Sequence, residues 1–185
     1  MSAVESDADE VKEVALRGLA DVIMAFGFEE IITRPPPPSA SDTSDTPTTP
    51  VRDEELHKRL VTIFAEHLDH ELESVRTVAV EAVAKLMMLD ELQSAPLFSH
   101  LAVLFFNPMT EDDALLRQCL SVFFSAYVFS SAEHTAVVEE SFGITLQTII
   151  NAPARSPLKK VSLMNVAQFL ISITDPVNAL LTSAP

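Results

Sequence analysis

An apolar residue followed by a basic residue recurs along this chain at a nearly constant interval. The four pairs, each at or near the start of a predicted helix, are Leu16-Arg17, Val75-Arg76, Leu116-Arg117 and Leu158-Lys159. The second and third pairs are 41 residues apart, and the third and fourth are 42 apart. The first and second are 59 apart, or 41 once the 18 residues 34–51 are left out. This interval leaves room for two helices in each unit.

Apolar residues at spacings of three and four fill most of the chain, as amphipathic helices require. A period of about 40–47 residues with two helices per unit is typical of HEAT and armadillo arrays. We therefore predict an all-α fold, an α-solenoid of about three to four HEAT-type helical hairpins. The predicted helices are 8–27, 53–70, 74–90, 96–106, 111–130, 134–150, 157–173 and 176–182.

Short polar segments with proline separate these helices. Ser94-Ala95-Pro96 predicts a capped helix start, because proline is tolerated in the first turn. Asn107-Pro108 predicts the end of that helix, and Thr110 with Asp113 resembles a capping box for the next one. Ser156-Pro157 predicts the start of the helix over 157–173.

The chain divides into three segments. Residues 1–33 are predicted to form a first helix, the second helix of an incomplete hairpin, and its open apolar side suggests a piece of a longer solenoid. Residues 34–51 form a Pro/Ser/Thr-rich linker predicted to be disordered, since it cannot bury enough apolar surface. Residues 52–185 form the repeat array. Helix 111–130 is apolar on nearly every face, so we expect neighbours on both sides of it.

Charge and composition exclude several functions. The formal net charge of −15 argues against a chain that binds nucleic acid by itself, because such binders need a basic face. The longest apolar run, Leu101 to Phe106, is too short to span a bilayer. Cys119 is the single cysteine, and its repeat position predicts a small core residue rather than a nucleophile. We predict no enzyme, cofactor, metal or small-molecule substrate.

Two stretches resemble the CAP-G subunits of the condensin complex. They are Asn107-Pro108-Met109-Thr110-Glu111-Asp112-Asp113 with Leu116-Arg117-Gln118-Cys119-Leu120 and Phe123-Phe124, and Asn151-Ala152-Pro153 with Ser156-Pro157-Leu158 and Asn165-Val166-Ala167. Val75-Arg76-Thr77-Val78-Ala79 through Ala84-Lys85-Leu86-Met87 is also similar. The resemblance covers roughly residues 53–175 and points to the C-terminal HEAT region of that family.

The resemblance implies a non-catalytic scaffold that binds the kleisin subunit (CAP-H type) and the SMC subunits. It also implies a contribution to DNA holding in mitotic chromosome condensation, with DNA bound only in the full complex and no membrane partner. The implied location is the nucleus and mitotic chromosomes, with a cytoplasmic pool. The alternative is a transport or trafficking adaptor on the same solenoid, binding basic cargo through its acidic face.

Two groups of residues are candidate sites. Arg155, Lys159 and Lys160 form a basic cluster at a predicted helix start, and they are candidates for a partner or DNA contact at the edge of the solenoid. Thr46, Thr49 and Ser156 each precede proline, so they are minimal sites for proline-directed phosphorylation, which would add charge near a partner.

Overall fold

The computed structural model describes residues 2–28, 30 and 50–175 of the chain. Within these ranges the backbone is almost entirely helical, with two 3-10 turns at Pro108–Thr110 and Pro157–Lys160 and no strand. The α-helices are α1 (Ser2–Phe26), α2 (Pro50–Leu68), α3 (Glu73–Met88), α4 (Ala95–Phe106), α5 (Ala114–Tyr127), α6 (Ala132–Asn151) and α7 (Leu163–Thr174). The prediction of an all-α helical solenoid is confirmed.

The helices pack in two rows. Helices α2, α4 and α6 are the first helices of successive hairpins, and α4 packs against both α2 and α6. Helices α3 and α5 are second helices, and α3 packs against α5 on one side and α1 on the other. The first helix therefore lies in the row of second helices. Its pairing with a first helix of its own remains a prediction.

Aromatic side chains fill the core where the last two hairpins meet. The ring of Phe124 on α5 lies 5.3 Å from Phe98, 5.6 Å from Phe105 and 5.4 Å from Phe169, measured between centroids. These three partners come from α4 and α7, so one side chain joins three helices. Burial of rings of this size is the main favourable term in such a core.

Capping decides where α4 and α5 begin. Ser94 accepts a hydrogen bond from the backbone N–H of Leu97, as predicted. The predicted capping box at Thr110 is wrong, because Asp113 is the N-cap and accepts from the N–H of Leu116 at 3.0 Å. The Thr110 hydroxyl instead donates to the carbonyl oxygen of Leu104 at 2.5 Å. Helix α5 therefore starts three residues later than predicted.

The predicted helix 157–173 is wrong in its first turn and a half. Pro157–Lys160 form a 3-10 turn, and Val161 then takes an extended conformation. A second serine, Ser162, caps α7 by accepting from the N–H of Asn165. Lys159 therefore lies before the helix. The predicted helix 176–182 lies outside the described residues.

The repeat register holds for two of the four basic residues. Arg76 and Arg117 are each the fourth residue of their helices, α3 and α5. Arg17 lies well inside α1, which begins at Ser2 rather than near residue 8, and Lys159 lies in the turn before α7. The helices still pair and stack, so the solenoid does not depend on the other two positions.

Two predictions concern the apolar faces of α1 and α5. Helix α1 does leave an open apolar side, with Val11 66% and Val14 69% exposed. Helix α5 has the expected neighbours on both sides, α3 on one and α7 on the other through the Phe124–Phe169 contact. Its outer face is nevertheless open, because Leu115 is 70% and Val122 65% exposed. Of the predicted linker 34–51, the structure describes only residues 50 and 51, which begin α2.

Candidate site on the row of second helices

The repeated arginines hold the hairpins together. Arg76 donates to the backbone oxygen of His70 at 3.2 Å and to the carboxylate of Asp113 at 3.3 Å. Arg117 donates to the backbone oxygen of Phe105 at 2.8 Å, and its guanidinium carbon lies 4.8 Å from the centroid of that ring. Both residues bond a carbonyl at or just after the end of the preceding helix. They are structural ties and do not form an open row of cations for phosphates.

The predicted basic cluster lies in the connection between α6 and α7. Arg155, Lys159 and Lys160 are all exposed there. Lys159 donates to the backbone oxygen of Ile150 at 2.6 Å, so it partly satisfies the last turn of α6. Within the described part of the chain, Arg155 and Lys160 form no ion pair. The structure therefore brings the three cations together in one connection, and none of them forms an ion pair with a described residue.

One of the three candidate phosphorylation sites is described. The hydroxyl of Ser156 accepts a hydrogen bond from the N–H of Leu158 at 3.3 Å, and the side chain is half-buried. It therefore caps the 3-10 turn. Thr46 and Thr49 lie outside the described residues.

A long groove runs over α3, between α1 and α5. Its volume is about 1160 Å³, and it extends from Leu72 to Leu89 at the two ends of α3. We call it the α3 groove. Helix α1 contributes Arg17 and Met24 to one wall. The groove is larger than the surface pockets beside Ile144 and beside Val11, whose volumes are about 470 and 480 Å³.

The opposite wall is the outer face of α5. Leu115, Cys119 and Val122 line it at the three- and four-residue spacing of one helix face. Leu115 and Val122 are exposed on this wall, and no described side chain covers them. Burial of the Cys119 thiol raises its pKa, which disfavours the nucleophilic thiolate. This wall is therefore an apolar contact surface without a reactive group.

The charges at the groove are divided unevenly. Its two cations each have a glutamate partner on the same helix: Lys85 lies 2.6 Å from Glu81, and Arg17 lies 4.0 Å from Glu13. Glu73, at the start of α3, forms no ion pair with any described residue. Glu73 is therefore a negative charge at the groove that no described cation neutralises in an ion pair.

Two other kinds of site are absent from residues 2–28, 30 and 50–175. No group of three histidine, cysteine, aspartate or glutamate side chains there is arranged to hold a metal ion. Among the helices of the same ranges, none has both the length and the apolarity needed to cross a membrane.

The sequence contained a signal for the α3 groove that its interpretation missed. Helix α5 has apolar residues on more faces than this chain buries, and Leu115 and Val122 are among those left exposed. An all-round apolar helix predicts burial, but burial can be supplied by a partner as well as by the chain itself. The exposed positions became identifiable only once α3 and α1 were placed beside α5.

Comparisons with known proteins agree with the repeat architecture. The family described as nuclear condensing complex subunits, C-terminal domain, matches residues 1–183. Condensin complex subunit 3 of Homo sapiens is 34% identical over 182 residues, covering 95% of this chain and 18% of the relative. Condensin complex subunit 3 of Xenopus laevis is 33% identical over 197 residues, covering 95% and 19%. The chain thus spans about a fifth of the length of these relatives, and it belongs to the nuclear condensing complex subunit family, in the region of that family's C-terminal domain.

Proposed function

We propose that this chain is part of a non-catalytic scaffold subunit of condensin that binds the kleisin subunit. The observation that carries the proposal is the exposed apolar wall of α5 in a chain of this family. Leu115 and Val122 lose the benefit of burial unless another protein covers them. The α3 groove is the surface that we assign to kleisin, and the SMC subunits then associate through the assembled complex.

The proposed contribution to DNA holding depends on the complex. With a net charge of −15, the chain lacks the basic surface that displaces counterions from DNA. Arg155 and Lys160, with Lys159 beside them, are the exposed cations at the edge of the solenoid. We propose that they contact DNA or a partner only alongside the other subunits. We expect a double charge reversal, Arg155→Glu with Lys160→Glu, to lower DNA retention by the full complex.

Location and modification follow from the same proposal. The protein is proposed to lie in the nucleus and on mitotic chromosomes, with a cytoplasmic pool.

Thr46, Thr49 and Ser156 are proposed targets of a proline-directed kinase. Phosphate on Ser156 modifies the hydroxyl that caps the 3-10 turn before Lys159 and adds negative charge and acceptor oxygens there, so it would change the basic connection directly. Mass spectrometry of mitotic protein without phosphate at these positions contradicts this part.

The second candidate, a trafficking adaptor that binds basic cargo, is less well supported. The relatives named above are condensin subunits, and nothing in the comparisons favours the adaptor. Its expected signature is capture of basic cargo peptides in the absence of kleisin and SMC subunits.

Co-precipitation of kleisin with the complete subunit tests the proposal. The groove variant is Leu115→Asp with Val122→Asp, and both positions are exposed, so the fold tolerates the change. The matched control is Met164→Asp with Ile171→Asp on α7, exposed by 65% and 60%. We expect the groove variant to lose kleisin by at least about tenfold and the control to keep it. Equal retention by both variants, or no kleisin with the unaltered subunit, overturns the assignment.

A further inference from the structure

We propose that the α3 groove binds an amphipathic helix of about four turns that carries lysine or arginine beside its apolar stripe. This inference rests on the proposed function, because it takes the groove to be the surface that kleisin occupies. It adds the conformation and the charge of the bound segment.

The length of the groove sets the length of its occupant. The lining follows α3 from Leu72 to Leu89, which at 1.5 Å per residue is about 26 Å. A helix of about 16 residues has nearly the same length. Two helices that flank a third, each packed at about 8–10 Å, leave a trough that a helix of about 10 Å diameter can enter.

The chemistry of the walls favours a helix over an extended segment. The walls are helices, whose interior backbone groups bond within the helix, so the groove offers no strand edge for an extended peptide. An extended segment would place unpaired backbone N–H and C=O groups against Leu115 and Val122, which costs free energy. A helix satisfies its own backbone and presents only side chains to these residues.

The charges at the groove select basic flanks. Arg17 and Lys85 already have glutamate partners, whereas Glu73 forms no ion pair with a described residue. Asp21, which lies between the lining residues Arg17 and Met24 on α1, is also exposed without an ion pair in the described ranges. These two carboxylates, one on α3 and one on α1, attract cations and repel acidic segments.

Charge also argues against a second copy of this chain as the occupant. Residues 1–93 carry 20 acidic and 8 basic side chains, so two copies would bring acidic surfaces together. Like-charge contacts of this kind oppose association. A partner segment with lysine or arginine has the complementary charge.

Binding of designed peptides to the full chain tests the inference by fluorescence anisotropy. The first peptide has 16 residues, a leucine stripe at helical spacing and flanking lysines. A second replaces the lysines with glutamate, and a third scrambles the first so that charge is kept and the stripe is lost. We expect both changes to weaken binding by at least about tenfold.

Chain variants locate the binding site. Val122→Asp is expected to weaken binding of the lysine peptide by at least about tenfold, with Met164→Asp within about twofold of the unaltered chain. Asp21→Lys combined with Glu73→Lys is expected to reduce the ratio of the affinity for the lysine peptide to the affinity for the glutamate peptide. If circular dichroism shows the same helix content in each variant as in the unaltered chain, unfolding is excluded as the cause of weaker binding.

Three results overturn the inference. They are equal binding of the lysine and glutamate peptides, binding that Val122→Asp leaves unchanged, and self-association in sedimentation that Val122→Asp abolishes. If the groove variant loses kleisin but the peptides show no preference for the stripe or the charge, only this inference fails. If the peptides bind as expected but the complete subunit retains no kleisin, the proposed function fails instead.

Discussion

The two faces of α5 differ in what covers their apolar side chains. On the inner face, Phe124 is 1% exposed and contacts rings from α4 and α7. On the outer face, Leu115 and Val122 are 70% and 65% exposed and line the α3 groove. The same helix therefore uses apolar residues for two purposes, which composition alone does not distinguish. The inner face stabilises the stack of hairpins, and we assign the outer face to a partner.

The largest effect on stability is expected on the inner face. Phe124→Ala removes the ring that joins α4, α5 and α7 and leaves a cavity, so we expect the free energy of unfolding to fall by about 3–5 kcal/mol. Urea denaturation measures it. Val122→Ala, on the outer face, is the matched control and should change stability by less than about 0.5 kcal/mol. Similar losses for both substitutions would contradict the division between the faces.

The next effect concerns the junction between α3 and α5. Asp113 is 3% exposed; it caps α5 and accepts from Arg76 at 3.3 Å and from Thr77 at 3.2 Å. Asp113→Ala removes the cap and leaves Arg76 without its carboxylate, so we expect a loss of about 3 kcal/mol. Asp113→Asn keeps a good N-cap and should recover about 1 kcal/mol of that loss. Equal thermal unfolding of both variants would show that the cap contributes nothing.

A smaller effect is expected at the second repeated arginine. Arg117→Lys replaces the planar group that donates to the Phe105 carbonyl and stacks on its ring, so we expect a loss of about 1 kcal/mol. Arg155→Lys, at an exposed cation in the α6–α7 connection, is the control and should be near neutral. If Arg117→Lys were also neutral in urea denaturation, the repeated arginine would not be a tie between helices.

The smallest effect is a pH dependence on the row of first helices. His100 on α4 lies 2.9 Å from the carboxylate of Asp69, just after α2, and this hydrogen bond lowers the pKa of Asp69 below its usual 3.8. A carboxyl with a lowered pKa stabilises the fold above its unfolded pKa, and this contribution is lost as the pH falls through the folded value. The Asp69 side chain is largely exposed, so the pair contributes about 0.5 kcal/mol or less.

Titration of the Asp69 carboxyl by NMR checks this linkage. His100→Ala should return the pKa of Asp69 toward its usual value. His67→Ala should not, because the His67 ring bonds the carbonyl of Ile63 instead. An unchanged Asp69 pKa in His100→Ala would mean that the histidine does not hold the carboxylate.

Much of the fold could be predicted because local signals and the global fold agree. The apolar spacing located the helices, and Ser94 and Asn107-Pro108 marked the ends of α4 correctly. The errors arise where two local signals compete. Thr110 and Asp113 both resemble N-caps, and Asp113 is used because Arg76 and Thr77 bond its carboxylate from α3. A local sequence pattern cannot predict this N-cap, because Arg76 and Thr77 lie on another helix.

The last connection shows the same limit. Ser156-Pro157 and Ser162 can each begin a helix, and the sequence interpretation used the first. The structure uses both, with a 3-10 turn after Ser156 and α7 after Ser162, and Lys159 bonds back to α6 between them. The site was harder to predict than the fold, because the α3 groove exists only between helices that are far apart in the chain.

Photo-crosslinking in assembled condensin tests most directly whether the outer face of α5 binds kleisin. A photoreactive residue is placed at Val122 in one sample and at Ile171 on α7, which has a similar exposure, in another. We predict a covalent adduct with kleisin from position 122 and none from position 171. Adducts of equal yield from both positions, or none from position 122 in a complex that contains kleisin, would contradict the account.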